Sequence, residues 1–303
     1  MPYAWVRGFN HYYEWVTGSG SPEPTGKPVM VFLHGWGGSA RYWESTAHAL
    51  SDSFDCLLYD MRGFGRSQER CDRPDLSPTL EELETDLSYE LESYAEDLAK
   101  FLDALELQHI FLNAHSMGAS VAVFFLNLYP ERVERAILTC SGIFEYDEKA
   151  FAAFYKFGEY VVKFRPRWLY QLPFMDRLFM QRFLHRPLPT TISRAFLNDF
   201  LMADYEAAIG TIFTSVSKKA AEVMPQEFAR LTVPTLLIAG DRDIIIPAEM
   251  GHQAASLNDQ IKFVAIPDTA HFPMLEDTPT YLQHVQDFLG VEIGHPSMVT
   301  KSI

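Results

Sequence analysis

The chain has 303 residues, of which 48% are apolar and 21% charged, and its 40 acidic against 25 basic side chains leave a net charge of −15. That balance is against binding a nucleic-acid backbone, which needs a concentrated basic surface, and it supplies enough apolar residues to bury a core. The longest apolar runs fall far short of the roughly 20 residues that span a bilayer, so no transmembrane segment is expected.

Met1–Arg7 lacks the basic-then-apolar pattern of a secretory leader. Three cysteines (Cys56, Cys71, Cys140) cannot all pair, and no Asn-x-Ser/Thr sequon occurs, so a cytoplasmic location is expected. Along the chain, Trp5–Val16 reads as a β-hairpin turning near Gly8. Gly20–Lys27 carries glycines and a lysine, but its glycine spacing is wrong for a phosphate loop, and it precedes a strand instead of following one. It reads as a turn. Val29–Leu33 is a short continuous apolar run followed by Gly35, Gly37 and Gly38, and Cys56–Tyr59, Ile110–Leu112, Ala136–Leu138, Thr235–Ala239 and Phe263–Ile266 repeat the theme. Runs of this kind, bounded by Gly, Pro or Asp, are strands buried on both faces and predict a parallel sheet. Helical stretches alternate with them: Ser39–Leu50, Leu80–Leu105, Met117–Leu128, Ala248–Leu257 and Pro279–Leu289. The alternation predicts a doubly wound, mostly parallel α/β sheet.

One stretch interrupts the alternation. Ile143–Phe228 reads as mostly helical, holds 18 of the 42 aromatic residues, and is punctuated by Pro166, Pro173, Pro187, Pro189 and Pro225. Its placement predicts a helical cap over the C-terminal edge of the sheet, where open α/β sheets bind ligands. The expected organisation is a first core part at 1–142, a cap at 143–231 and a second core part at 232–303.

The chemistry-bearing motif is Ala114-His115-Ser116-Met117-Gly118, directly after a strand-like run and opening a helical one. Small residues on either side of such a serine permit a tight strand-turn-helix that exposes its hydroxyl, although Ala114 stands where glycine is usual. A serine needs a base, and the base needs an orienting group. Downstream, Gly240-Asp241-Arg242-Asp243 follows a buried strand, and His271 lies in a loop between the last strand and the last helix. The order serine, acid, histidine at three strand ends resembles that of the α/β-hydrolase triad.

These stretches, with His34-Gly35-Trp36-Gly37-Gly38 and Asp60–Ser67, resemble the α/β-hydrolase superfamily with a helical cap over nearly all of Val29–Leu289. The resemblance implies Ser116, Asp243 and His271 as catalytic residues, selecting Asp243 over Asp241. It also implies the Trp36 and Met117 backbone amides as the oxyanion hole, supported by Gly35, Gly37, Ala114, His115 and Gly118. Arg62 and Arg66, in the loop that resembles the family's structural loop, are expected to make fold-supporting ion pairs. Cys56 and Cys140 are expected to be inert core residues.

Absent motifs narrow the chemistry further. Gly63-Phe64-Gly65 does not continue into a dinucleotide fingerprint, no His-Glu-x-x-His occurs and the cysteines are widely spaced, so neither a cofactor nor a metal is expected. Glu69–Asp97 carries eleven acids against two arginines, with leucines at helical spacing, and is expected to present a solvated helix face; a docking face for a basic partner is the alternative. The function expected is hydrolysis of a small ester with an apolar acyl or alcohol portion through an acyl-enzyme. Alternatives on the same triad are C–C bond hydrolysis and cofactor-free perhydrolysis. A receptor of the same fold that binds a small hydrophobic molecule with little turnover is the non-enzymatic alternative. Dehalogenase and epoxide hydrolase chemistries are disfavoured, because those relatives carry Asp where this chain has Ser116.

Overall fold

A computed structural model describes residues 2–67 and 87–291. Cys71 and most of the acidic run from Glu69 lie outside the described residues. The chain begins with the predicted hairpin, β1 (Tyr3–Val6) and β2 (Phe9–Val16). Arg7 and Gly8 join them, both at positive φ, the two-residue turn whose twist matches that of the flanking strands.

Six more strands follow among the described residues: β3 (Val29–Leu33), β4 (Asp55–Tyr59), β5 (Ile110–His115), β6 (Val133–Thr139), β7 (Thr235–Gly240) and β8 (Ile261–Ile266). They form one eight-stranded sheet in the order β1-β2-β4-β3-β5-β6-β7-β8, parallel from β4 onward and antiparallel at the β1-β2-β4 edge. The near-continuous apolar sequences of β3, β4 and β7 follow from burial on both faces, whereas β8, at the sheet edge, leaves Lys262 and Ala265 exposed and Phe263 and Val264 half-buried. In β3, Met30 and Phe32 enter one core cluster while Val31 and Leu33 enter the other, the two-residue alternation of a pleated strand.

One face is covered by α2 (Leu91–Ala104), α3 (Met117–Leu128), α8 (Lys218–Ala229) and α9 (Ala248–Ala255). The other is covered by α1 (Glu44–Leu50) and α11 (Thr278–Leu289), the latter preceded by the single turn α10 (Pro273–Glu276). Between β6 and β7 lies the helical insertion: α4 (Glu148–Lys163), α5 (Met175–Met180), α6 (Thr190–Met202), α7 (Tyr205–Ser215) and then α8.

Three expectations are corrected. Pro225 does not break a helix but sits inside α8, whose buried Ala220, Met224 and Phe228 hold one face against the core despite the missing N–H. The helix expected from Leu80 begins, among the described residues, at Leu91 after the non-helical 87–90. The acidic flank is not simply solvated. Asp97 is fully buried and accepts from Arg62 Nε at 2.7 Å and from Arg7 at 2.8 Å, while Glu90 and Glu92 pair with Lys219 of α8.

Arg62 and Arg66 both make the expected ion pairs. The Arg62 guanidinium also lies over the Tyr94 ring at 4.6 Å, and Arg66 Nε donates to buried Asp60 at 2.8 Å. Asp60 in turn accepts the Ala40 N–H at 2.8 Å, which fixes the path of the chain after β3. Strand order reverses around β3, with β4 on one side and β5 on the other. The loops leaving the C-terminal ends of β3 and β5 therefore meet at a crevice, the position where such sheets bind ligands.

Candidate active site

Ser116 stands between β5 and α3 with φ 53° and ψ −123°, a conformation ordinary side chains avoid. Its N–H donates to Thr139 O at 2.9 Å, and its carbonyl accepts the Ala119 and Ser120 N–H groups at 2.9 and 3.1 Å. The turn is thus held from both sides, and the strained residue is over-determined by its surroundings. Ala114 lies fully buried in β5, paired with Leu33 and Leu138, at negative φ; the position needs a small side chain and not glycine. Gly118 does need glycine, since a Cβ there would lie 2.4 Å from His34 O.

His271 brings the base. Its Nε2 lies 3.0 Å from Ser116 Oγ and its Nδ1 2.7 Å from Asp243 Oδ2. The other Asp243 oxygen accepts the Ile245 and Ile246 N–H groups at 2.7 and 3.1 Å. With Asp243 accepting on both oxygens, Nδ1 of a neutral His271 carries the proton and Nε2 turns its lone pair to the serine hydroxyl. Asp241, two residues earlier, lies 3.7 Å from Arg242 and makes no bond to His271.

The loop after β3 closes the other side. A Cβ on Gly35 would meet Ser116 Cβ at 3.1 Å and His115 Nδ1 at 3.0 Å, so the loop reaches the serine only because residue 35 has no side chain. Trp36 follows, half-buried, its indole donating to Ala208 O of α7 at 2.9 Å and its ring packing on Phe200 of α6. Gly37, at positive φ, also abuts Phe200. Met117 is the first residue of α3, so its N–H has no carbonyl partner within the helix.

His115, expected from the sequence as support, and Tyr42 and Glu276, which sequence reasoning missed, hold these parts in place. His115, fully buried, connects two loops: Nε2 lies 2.7 Å from His271 O and Nδ1 2.9 Å from the Tyr42 hydroxyl, which itself accepts the Gly35 N–H. Burial pushes the imidazole well below its ordinary pKa, so the ring is neutral. Every direction is then fixed. The His271 carbonyl only accepts, so His115 donates from Nε2, and Tyr42 donates to Nδ1. Glu276 Oε1 accepts the Ala270 and Phe272 N–H groups on either side of His271, and its Oε2 accepts those of His185 and Arg186 from the insertion. No local motif marks Tyr42 or Glu276; only packing across the fold brings them here.

His115, Cys140 and His271 place their ligand atoms within 4.8 Å of one another. Both His115 nitrogens are engaged, His271 faces Ser116 and Asp243, and burial raises the Cys140 thiol well above its ordinary range. A thiol held protonated and imidazoles without a spare lone pair make a poor metal donor set.

The insertion contributes an aromatic wall. Phe183 lies 6.1 Å from the His271 ring, Phe179 stacks on Phe200 at 4.9 Å, and Phe196 contacts Phe272 at 4.6 Å. Asp199 of α6 ties this wall to the loop after β3, accepting from Ser39 Oγ at 2.6 Å and pairing with Arg41. Burial outweighs those partners and pushes its carboxyl up to about 6. Between the ordinary carboxylate pKa and that value the folded chain holds a proton that the unfolded chain has lost. This residue's contribution to stability is therefore complete below about pH 4 and is lost as pH rises through about 6. An asparagine in its place has no such slope. The melting temperature of Asp199→Asn, relative to the parent chain, is expected to rise between about pH 4 and pH 7.5 in thermal scans, and a constant difference would show the carboxyl titrating normally.

The sequence profile of the alpha/beta hydrolase fold matches residues 28–278. An uncharacterized hydrolase of Bacillus subtilis, YugF, is 22% identical over 94% of this chain and 96% of its own length. Among solved structures, a thermophilic esterase from Thermogutta terrifontis superposes with a TM-score of 0.70 at 24% identity, covering 96% of this chain and 98% of that one. The enol-lactonase from Burkholderia xenovorans gives 0.73 at 21% identity, covering 96% and 100%. No described helix is long and apolar enough to cross a membrane.

Proposed function

We propose that this chain, which belongs to the α/β-hydrolase fold family, is a serine hydrolase that cleaves carboxylic esters with an apolar acyl or alcohol portion. The observation that carries the reading is the continuous line of contacts from Ser116 Oγ through His271 to Asp243, at 3.0 and 2.7 Å. Ser116 Oγ attacks the ester carbonyl while His271 Nε2 takes its proton, and Asp243 stabilises the imidazolium that forms. The Trp36 and Met117 N–H groups receive the developing oxyanion, fixed dipoles that need no reorganisation as charge builds. His271 then returns the proton to the departing alkoxide, and the acyl group remains on Ser116. In the second half the same imidazole deprotonates a water, which releases the acid and regenerates the serine.

The insertion from residue 143 through α7 acts as the cap in this reading, since α8 packs on the sheet, and Phe179, Phe183 and Phe200 supply an apolar wall beside the reacting atoms. The esterase and the enol-lactonase among the structural relatives favour the same bond type. Labelling with a fluorophosphonate, then turnover of a graded series of p-nitrophenyl esters, tests it. Labelling confined to Ser116 and repeated turnover are expected. One equivalent released without further turnover would favour a receptor, and an unlabelled Ser116 would end the proposal.

A further inference from the structure

The net charge hides a local reversal. Between Tyr160 and Arg182 the sequence has five basic residues and one acid, Asp176, which is buried. The same stretch exposes Tyr160, Phe164, Trp168, Leu172, Phe174 and Leu178, half of all the large apolar side chains exposed among the described residues. Phe174 and Leu178 are 69% and 65% exposed, and Phe174 sits at positive φ, a conformation that side chains other than glycine's rarely adopt. Lys163, Arg167, Arg177 and Arg182 are exposed among these rings; Lys163 pairs with Glu159, and Arg177 lies over the Phe174 ring at 5.7 Å. Aromatic and aliphatic tips flanked by cations are what an anionic lipid surface takes up: the apolar groups enter the headgroup boundary and the cations meet the phosphates.

We propose that residues 160–182 dock the protein on anionic lipid bilayers. The surface is continuous with the candidate site, because Phe174, just before α5, and Arg177 and Leu178 of α5 face outward while Phe179 of the same helix packs inward against Phe200. The substrate class that follows, an ester drawn from the lipid phase, rests on the hydrolase reading; the docking itself does not. No spanning helix is needed for attachment of this kind.

Flotation of the full chain and of its Ser116→Ala variant tests docking apart from catalysis. Vesicles of phosphatidylcholine alone are compared with vesicles containing about one third phosphatidylglycerol. Both proteins are expected to bind the anionic vesicles at least about tenfold more tightly, with the preference reduced by salt. The combined Arg167→Glu, Arg177→Glu and Arg182→Glu variant is expected to lose that preference. Trp168→Ser with Phe174→Ser and Leu178→Ser is expected to bind both vesicle types about tenfold more weakly than the parent binds them. Unchanged turnover of soluble p-nitrophenyl butyrate by both variants would establish that they fold. Against an ester embedded in anionic vesicles each should fall at least about tenfold. Failure of the parent to float, or flotation indifferent to lipid charge, overturns the proposal. So does self-association in sedimentation that the same substitutions abolish without vesicle binding, which would make the patch a contact between two copies. A chain that floats but hydrolyses no ester supports docking and removes the ester reading.

Discussion

Replacing Ser116 by alanine should reduce ester turnover by about 10⁴-fold or more with the fold intact, and replacing it by glycine should do the same while raising the melting temperature. The first half follows from the removal of the only hydroxyl within 3.0 Å of His271 Nε2 among the described residues. The second half follows from the backbone. At φ 53° and ψ −123°, a residue with a Cβ carries strain of about 1–3 kcal/mol, and alanine keeps that strain while glycine sheds it. Against this, glycine frees the unfolded chain by about 0.5–1 kcal/mol. The expected net gain is about 1 kcal/mol, or about 2 °C in a chain of this size, measured by thermal scans of the three proteins side by side. Retained hydrolysis in either variant would remove Ser116 as the nucleophile. A glycine variant less stable than the alanine one would mean that neighbouring contacts, and not the turn geometry, set the energy at this position.

The serine's setting is legible because its signals are local. A buried strand needs a continuous apolar run, an exposed turn needs small neighbours, and a helix restarts at once, so β5, Ser116 and α3 can be read within twenty residues. Asp243 is legible by the same logic, in the loop that leaves the buried β7, and His271 by the apolar run of β8, although that strand lies at the sheet edge and is only partly buried. What escapes is everything that depends on burial from a distance. Asp97 lies in a run of acids that looks solvated, yet Arg62 and Arg7 enclose it from two other parts of the chain. Tyr42 and Glu276 sit in helical stretches where one side chain resembles the next, and only the assembled sheet shows that both hold the loops around Ser116 and His271. The aromatic wealth of the insertion reads as core or cap lining. It divides instead between inward rings such as Phe179 and outward ones such as Phe174, a distinction that composition does not carry.

Asp243→Asn should lower kcat by about 10³–10⁴-fold with little change in KM, whereas Asp241→Asn should leave both within about twofold. The asymmetry lies in what each carboxylate touches. Asp243 accepts two backbone N–H groups on one oxygen and the His271 Nδ1–H on the other, so it has no donor to offer and imposes one tautomer. Asparagine has a single oxygen. The Ile245 and Ile246 amides, donating at 2.7 and 3.1 Å, will hold that oxygen, which turns the NH₂ toward His271. Nδ1 must then accept, the proton moves to Nε2, and the imidazole faces Ser116 with a donor where the mechanism needs a lone pair. The imidazole has no simple escape by moving with its loop, because neutral His115 donates to the His271 carbonyl and Glu276 holds the N–H groups of Ala270 and Phe272. Nitrogen-15 spectra of the imidazole should therefore report a proton on Nδ1 in the parent chain and on Nε2 in Asp243→Asn. Loss of activity with the parent tautomer retained would mean that the carboxylate's charge, and not its orientation of the ring, carries the effect.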